Sequence, residues 1–309
     1  MSHYPLSPGM SAFVSKSLSF GSTDSSIQGL RNDYNRMCRA FTPPRPADIE
    51  TEDHRIARVP VRLYRPTASR PATGWPCVVY LHGGGWAVGG LDSHDFITAE
   101  LASRLKAMVI AVDYRLAPEH PYPAAFDDCL AVWRGLRVQA ENWQLDPQRM
   151  AIAGDSAGGN LAAAVCLALR DAAEPQPRLQ ALIYPGLGGS DGLPSRSECA
   201  DAPLLSSDDV GTYHAWYLGN AQKPDAYAMP LRATNFRDLS PAFIAVAQYD
   251  PLRDDGVCYF ERLKKAGGRA TLHLGLGWVH GCLRARGMAP EVDLLYEKLL
   301  AQLRRYLTL

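Results

Sequence analysis

A serine flanked by glycines is the first feature of this sequence that could support catalysis. Residues 154–158 read Gly-Asp-Ser-Ala-Gly, a G-x-S-x-G pattern centred on Ser156. The pattern follows an apolar stretch at 149–154 that is typical of a strand, and it opens an apolar helical run at 157–171. A serine at such a turn projects its hydroxyl above the sheet, and the free N–H groups of the helix point toward it. This context predicts that Ser156 is a nucleophile rather than part of an ordinary turn.

A serine hydroxyl needs a base to remove its proton, and one of the eight histidines is well placed to do so. His280 lies in the glycine-rich segment 274–282, LGLGWVHGC, which we interpret as a loop between the last strand and the closing helix. Loops at the functional edge of a sheet often carry catalytic residues. His54 and His94 stand among polar neighbours, so we expect both on the surface. His280 is therefore the predicted base.

The base in turn needs a carboxylate that orients it. Asp250 ends the apolar strand pattern 242–250, so its side chain should lie at the carboxyl edge of the sheet. Asp254 and Asp255 follow at the start of the next helix, where acidic residues commonly interact with the helix dipole. Asp250 is the favoured acid, and Asp254 is the reserve.

Three consecutive glycines follow another strand pattern, in the segment HGGGW at 82–86. Attack on a carbonyl creates a negatively charged oxygen, which needs preset hydrogen-bond donors. Glycines let the backbone come close to such an oxygen. We expect N–H donors from this loop and from the residue after the nucleophile. His82 is expected to hold the shape of the loop.

The elements that must position these groups alternate along the chain. Strands are predicted at 59–66, 77–82, 107–114, 149–154, 179–185, 242–250 and 269–275. Helices are predicted at 22–41, 93–106, 122–140, 157–171, 206–218, 256–268 and 289–307. Apolar strands that alternate with helices predict an α/β fold, with a mostly parallel central sheet and helices on both faces.

One segment does not follow this alternation. Residues 186–235 separate two strands by more than one crossover helix requires, and an insertion of this length at the functional edge is typical of a lid or binding element. The pocket is predicted to draw on five aromatic side chains, two near the ends of predicted strands and three from this insertion. They are Trp86, Tyr184, Tyr213, Trp216 and Tyr217.

The overall composition favours a protein that binds a small, weakly charged ligand. The chain has 32 basic and 32 acidic residues, so no basic field is available for nucleic acid. No apolar run is long enough to span a bilayer, and the start lacks a signal-peptide pattern. Seven scattered cysteines without a C-x-x-C pair favour a reducing compartment, so we expect a cytoplasmic protein. Metal-ligand patterns are absent from the sequence.

Taken together, the motifs resemble those of bacterial hormone-sensitive-lipase-like esterases of the α/β-hydrolase fold. The matching segments are HGGGW at 82–86, DYRLAPEHPYPAA at 113–125, GDSAGGNLA at 154–162, YDPLRDDG at 249–256 and HG at 280–281. The resemblance covers about residues 55–305. It implies an α/β-hydrolase catalytic domain at 51–185 and 236–309. Residues 1–50 and the inserted segment 186–235 would then form a two-part helical cap.

The resemblance also implies an activity and its residues. It implies a serine carboxylesterase that acts on short- to medium-chain esters without a cofactor. Ser156, Asp250 and His280 would form the triad, in the chain order expected of this fold. The oxyanion N–H groups would come from Gly84, Gly85 and Ala157.

Three alternatives or additions stay open at this point. The same triad could hydrolyse amides, lactones or thioesters, since leaving-group preference depends on pocket geometry. Plant hormone receptors on this scaffold resemble these esterases but lack the catalytic histidine, so His280 argues against a pure ligand receptor. The closing helix or the edge strand could mediate a homodimer.

Overall fold

A computed structural model describes residues 4–220 and 224–308, and a single eight-stranded sheet runs through this part of the chain. The strands are β1 (Ile49–Ile56), β2 (Val59–Pro66), β3 (Trp75–Leu81), β4 (Met108–Val112), β5 (Leu145–Asp155), β6 (Gln180–Ile183), β7 (Ala242–Tyr249) and β8 (Ala270–Val279). Their order is β1-β2-β4-β3-β5-β6-β7-β8. β2 is antiparallel to β1 and to β4, and all other neighbours are parallel. The prediction of a mostly parallel sheet is confirmed.

Helices cover both faces of this sheet. They are α1 (Pro8–Leu18), α2 (Ile27–Phe41), α3 (Asp95–Leu105), α4 (Ala124–Val138), α5 (Ala157–Asp171), α6 (Pro194–Glu198), α7 (Ser207–Leu218), α8 (Arg253–Lys265) and α9 (Pro290–Leu307), with 3₁₀ turns at Pro230–Arg232 and Cys282–Ala285. α4, α5 and α8 pack on one face, whereas α1, α3 and α9 pack on the other. The helical coverage expected of an α/β fold is therefore present.

Successive side chains of β3 point to opposite faces of the sheet, which shows why the central strands are apolar throughout. Val79 and Leu81 enter the core on one face, while Val78 and Tyr80 enter the core on the opposite face. Both faces are buried, so both sets of side chains must be apolar. α5 is likewise buried nearly all round, because it packs against the sheet and also against α4 and the 3₁₀ turn Pro230–Arg232.

The sequence patterns missed α1, β1 and the short helix α6, and both β5 and β8 are longer than predicted. β1 reads IETEDHRI and pairs only with β2 at the sheet edge, so its exposed side chains are polar and the apolar alternation is weak. α1 begins after Ser7, whose hydroxyl accepts a hydrogen bond from the Met10 N–H. β8 continues to Val279, which pairs with Tyr249 of β7. The segment 276–279 before His280 is thus strand, and its interpretation as loop is wrong.

The carboxyl ends of β3, β5, β7 and β8 meet at one edge of the sheet. The glycine loop follows β3, Ser156 follows β5, Asp250 follows β7 and His280 follows β8. Ligands bind at this edge in open α/β sheets. None of the helices within the described ranges combines the length and the apolar content needed to cross a membrane.

Candidate active site

Ser156 occupies a sharp turn between β5 and α5. Its backbone has φ 53° and ψ −119°, a conformation that a side-chain-bearing residue rarely adopts. The turn is held because the Ser156 N–H donates to Ile183 O on β6 at 2.9 Å. The flanking glycines allow the close packing. A Cβ on Gly154 would lie 2.4 Å from the Gly158 backbone, and a Cβ on Gly158 would lie 1.9 Å from Leu81 O.

Gly158→Ala should therefore destabilise the protein by about 3 kcal/mol, since the added methyl meets backbone that cannot move without displacing β3. Urea unfolding followed by tryptophan fluorescence measures the change. Gly211→Ala is the matched control, because Gly211 lies in α7 with nothing within 4 Å of the added Cβ. That variant should be stabilised by roughly 0.5–1 kcal/mol. Equal effects of the two substitutions would contradict this reading of the turn.

The structure brings the three predicted triad residues into one hydrogen-bonded chain. His280 Nε2 lies 2.8 Å from Ser156 Oγ, and His280 Nδ1 lies 2.7 Å from Asp250 Oδ2. Asp250 is fully buried, and its other oxygen accepts the Leu252 N–H at 2.8 Å. Nδ1 must carry a proton to bond the carboxylate, which leaves Nε2 free to accept the serine proton. This geometry suits nucleophilic attack by Ser156 with His280 as general base.

The reserve acid, Asp254, contacts neither His280 nor Ser156. Its carboxylate accepts hydrogen bonds from the Ser195 N–H at 2.8 Å and from Arg253 Nε at 2.8 Å. It connects α8 to α6, where it stabilises the insertion.

The glycine loop places unused N–H groups beside the serine. Gly84 has φ +128° and Gly85 has φ +56°, both in the range that favours glycine. A Cβ on Gly84 would lie 2.2 Å from Val88 O. Within the described residues, the N–H groups of Gly84, Gly85 and Ala157 make no hydrogen bond to the protein. Three free donors that line the same cavity as Ser156 can receive a negatively charged oxygen.

Asp155 anchors the glycine loop to the nucleophile turn. Its Oδ1 accepts hydrogen bonds from Tyr80 Oη at 2.9 Å and from the Gly83 N–H at 3.1 Å. Its Oδ2 lies 3.3 Å from His94 Nε2. His94 is 1% exposed, so the prediction of a surface role for it is wrong. Asp155, which precedes the nucleophile, thereby fixes the position of Gly83, which precedes the N–H donor Gly84.

His82 holds this loop as a neutral ring. It stacks on Tyr114 with the ring centroids 4.2 Å apart, and its Nδ1 lies 2.9 Å from Gly83 O. Burial lowers the pKa of His82 to about 3. The ring is therefore uncharged at neutral pH, which fits the expected supporting function rather than proton transfer.

A cavity of about 390 Å³ opens onto the serine and histidine. Of the five predicted pocket aromatics, Trp86, Tyr184 and Tyr213 line it. Tyr217 does not, because it is buried behind Trp86 and stacks on that ring at 4.1 Å. Trp216 also lies outside the lining and packs edge-on against Tyr213 at 5.6 Å.

The N-terminal helices form a wall of this cavity that the sequence patterns did not identify. Phe13 and Leu18 of α1, and Leu30, Tyr34 and Met37 of α2, line the cavity. Helical spacing over 22–41 predicted an apolar face that includes Leu30, Tyr34 and Met37, whereas α1 was not predicted. Spacing alone does not reveal which surface such a face covers.

α2 is also bonded directly to the loop that holds the free N–H groups. Arg31 Nε donates to Ala87 O at 2.9 Å, and Tyr34 Oη donates to Gly83 O at 3.4 Å. Arg31 also forms an ion pair with Glu119. The position of the glycine loop thus depends on α2.

A metal site is not evident in the described ranges, where no three His, Cys, Asp or Glu side chains are grouped to hold an ion. The chemistry of the site lies in the hydroxyl, imidazole, carboxylate and N–H groups described above.

Comparisons with known proteins extend over the whole site. A family profile described as an α/β-hydrolase fold matches residues 78–284. The carboxylesterase NlhH of Mycobacterium tuberculosis is 39% identical over 298 residues, which cover 93% of this chain and 93% of that protein. An ethyl acetate hydrolase of Pseudomonas putida is 40% identical over 239 residues, which cover 76% of this chain and 74% of that protein. The structure of an esterase from Pyrobaculum calidifontis has a TM-score of 0.88 at 31% identity and covers 97% of this chain and 99% of that one.

Proposed function

Because this chain belongs to the α/β-hydrolase fold family, together with the carboxylesterases that it matches, we propose that it is a carboxylesterase that forms an acyl-enzyme on Ser156. The observation that supports this most is the position of His280, which is hydrogen-bonded to Ser156 and Asp250 at once. A receptor that only binds its ligand has no use for this arrangement, so the geometry favours catalysis.

In the first half-reaction, His280 Nε2 takes the proton of Ser156 as Oγ attacks the ester carbonyl carbon. The carbonyl oxygen becomes negative and accepts hydrogen bonds from the N–H groups of Gly84, Gly85 and Ala157. Asp250 keeps the proton on Nδ1 and stabilises the imidazolium. The C–O bond then breaks, and His280 gives its proton to the departing alcohol.

In the second half-reaction, water replaces the alcohol. His280 removes a proton from the water, which attacks the acyl carbon and forms a second oxyanion at the same N–H groups. Collapse of this intermediate returns the proton to Ser156 Oγ and releases the carboxylic acid. The starting state is restored without a cofactor.

The cap assignment supports a preference for small substrates. The N-terminal helices α1 and α2 and the inserted segment 186–235 both contribute walls to the cavity, including Phe13, Tyr34 and Tyr213. Such a two-sided enclosure limits the length of the acyl chain. We assign short- to medium-chain esters as the substrates.

A series of p-nitrophenyl esters from acetate to palmitate tests this assignment. Each methylene buried in the cavity contributes about 0.8 kcal/mol, so kcat/KM should rise from acetate until the cavity of about 390 Å³ is filled. It should then fall for long chains. A serine-directed phosphonate should abolish turnover of every ester in the series. The highest kcat/KM on palmitate would contradict the size assignment, and turnover that resists the phosphonate would contradict the esterase mechanism.

Cellular location and assembly are further parts of the proposal. All seven cysteines are free thiols, which supports a reducing compartment such as the cytoplasm. The edge strand β8 exposes Leu276 by 68%, which supports its use as a homodimer contact.

A further inference from the structure

Arg284 is a buried cation in the wall of the substrate cavity. It lies in the 3₁₀ turn Cys282–Ala285, four residues after His280. Only 6% of the residue is exposed, and it lines the cavity that contains Ser156. A charged side chain in this position must be compensated by its surroundings, because burial of an unpaired charge is costly.

The surroundings of Arg284 do not include a carboxylate partner. Within the described part of the chain, no Asp or Glu oxygen lies within ion-pair distance of its guanidinium, whereas the other strongly buried arginine, Arg196, pairs with Asp255 at 2.6 Å. The Arg284 guanidinium instead lies over the rings of Tyr34 and Phe96, at 5.0 Å and 5.5 Å from their centroids. These rings stabilise a cation but do not neutralise it.

Most of the donor capacity of Arg284 is unused. Nη2 donates to the Tyr34 hydroxyl, and the Cys38 thiol also lies within hydrogen-bonding reach of the guanidinium. Nε is buried and has no hydrogen-bond partner among the described residues. A guanidinium presents five N–H groups in a planar fork that matches a carboxylate. Nη1 makes no hydrogen bond to the described residues and is not enclosed as Nε is, so it is the donor left for a ligand. A charged donor in this position favours an anion over an apolar group.

The two acidic residues that line the cavity do not compete for this position. Asp33 accepts hydrogen bonds from the Ser22 N–H at 2.7 Å and from Arg36 at 2.6 Å. Asp155 accepts hydrogen bonds from Tyr80 and from the Gly83 N–H. The positive charge of Arg284 helps to lower the pKa of Asp155, but the two side chains form no ion pair. The acids are satisfied by the protein, whereas the cation is not.

We propose that Arg284 binds a carboxylate on the substrate, so that this carboxylesterase prefers esters that carry a second, ionised carboxyl group. The preferred class is then the monoester of a short dicarboxylic acid. This inference rests on the proposed esterase function, which supplies the reaction. It adds that the preferred substrate carries a negative charge.

The test compares two substrates of equal size and different charge. Monomethyl glutarate carries the carboxylate, and methyl 4-carbamoylbutanoate replaces it with a neutral amide. The wild-type enzyme should have a kcat/KM about 10- to 100-fold higher for the carboxylate, the range expected of hydrogen bonds to a charged group. In Arg284→Met the two substrates should have nearly equal kcat/KM. Arg284→Lys should retain part of the preference for the carboxylate, because Lys keeps the charge but lacks the planar pair of donors.

Two controls separate the charge effect from general damage. Arg39→Gln removes an equal charge from an exposed position on α2 that does not line the cavity, so its ratio should match that of the wild type. Hydrolysis of p-nitrophenyl butyrate by every variant reports the esterase reaction itself. Butyryloxyacetate, which carries its carboxylate on the alcohol side, shows which part of the substrate reaches Arg284.

The outcomes are distinguishable. If the wild type hydrolyses p-nitrophenyl butyrate but has equal kcat/KM for the acid and the amide, the inference is wrong and the esterase function stands. An unchanged ratio in Arg284→Met also overturns it. If no ester is hydrolysed, the proposed function itself fails. Should the Arg284 variants not fold, competitive inhibition of the wild type by glutarate, with none by glutaramide, supports the inference, and equal inhibition overturns it.

Discussion

Ser156→Ala is expected to lower kcat/KM for p-nitrophenyl butyrate by about 10⁶-fold. The hydroxyl lies 2.8 Å from His280 Nε2, and its removal prevents formation of the acyl-enzyme. The free N–H groups and the cavity remain, so the variant should still bind the substrate and hydrolyse it about 10³- to 10⁴-fold faster than water alone. Release of p-nitrophenol at high enzyme concentration measures the residual rate.

A loss of this size must come from chemistry rather than from unfolding. Alanine keeps the Cβ at a position whose backbone is already held by the Ile183 hydrogen bond, so urea unfolding should be nearly unchanged. Ser197→Ala is the matched control, because the hydroxyl of this exposed serine of α6 bonds only Pro194 O among the described residues. Phosphonate-sensitive turnover in Ser156→Ala would refute the assignment of the nucleophile.

Asp250→Asn is expected to lower kcat by about 10⁴-fold and to change KM little. The carboxylate oxygen lies 2.7 Å from His280 Nδ1, where it fixes the tautomer and stabilises the imidazolium. An amide in its place is uncharged and can donate its NH₂ group to Nδ1, which holds the proton on the wrong nitrogen. Steady-state kinetics over a range of pH values separate the loss in kcat from any loss in binding.

Asp254→Asn provides the comparison four positions along the chain. Its carboxylate contacts Arg253 and the Ser195 N–H rather than His280, so its kcat should stay near that of the wild type. A larger loss in Asp254→Asn than in Asp250→Asn would mean that the acid has been assigned to the wrong residue.

The parts of the site that were predictable from the sequence are those in which backbone geometry dictates residue type. Gly154 and Gly158 must be glycine because any Cβ would collide with backbone, and this requirement makes the pattern around Ser156 visible in the sequence. Asp250 was predictable because it ends an apolar strand, and the carboxyl ends of parallel strands share one edge.

Other parts depend on tertiary contacts that leave no local pattern. His94 looks like a surface residue among polar neighbours, but it is buried and one of its hydrogen-bond partners is Asp155, 61 positions away. Tyr213 and Tyr217 lie one helical turn apart on α7, yet one lines the cavity and the other is buried behind Trp86. Helical spacing shows that two side chains share a face, but not how far each reaches into the site.

The attachment of α2 has a consequence for how the enzyme should respond to heat. Only Gly29 and Cys38 of this helix are buried, and it is held to the glycine loop by hydrogen bonds from Arg31 and Tyr34. A segment with so little buried apolar surface belongs to the part of a protein that opens first, while the strands and α5 remain folded. A warmed sample can therefore keep almost all of its circular-dichroism signal after its turnover has ceased, and a melting curve would overstate the temperature at which the enzyme is still useful.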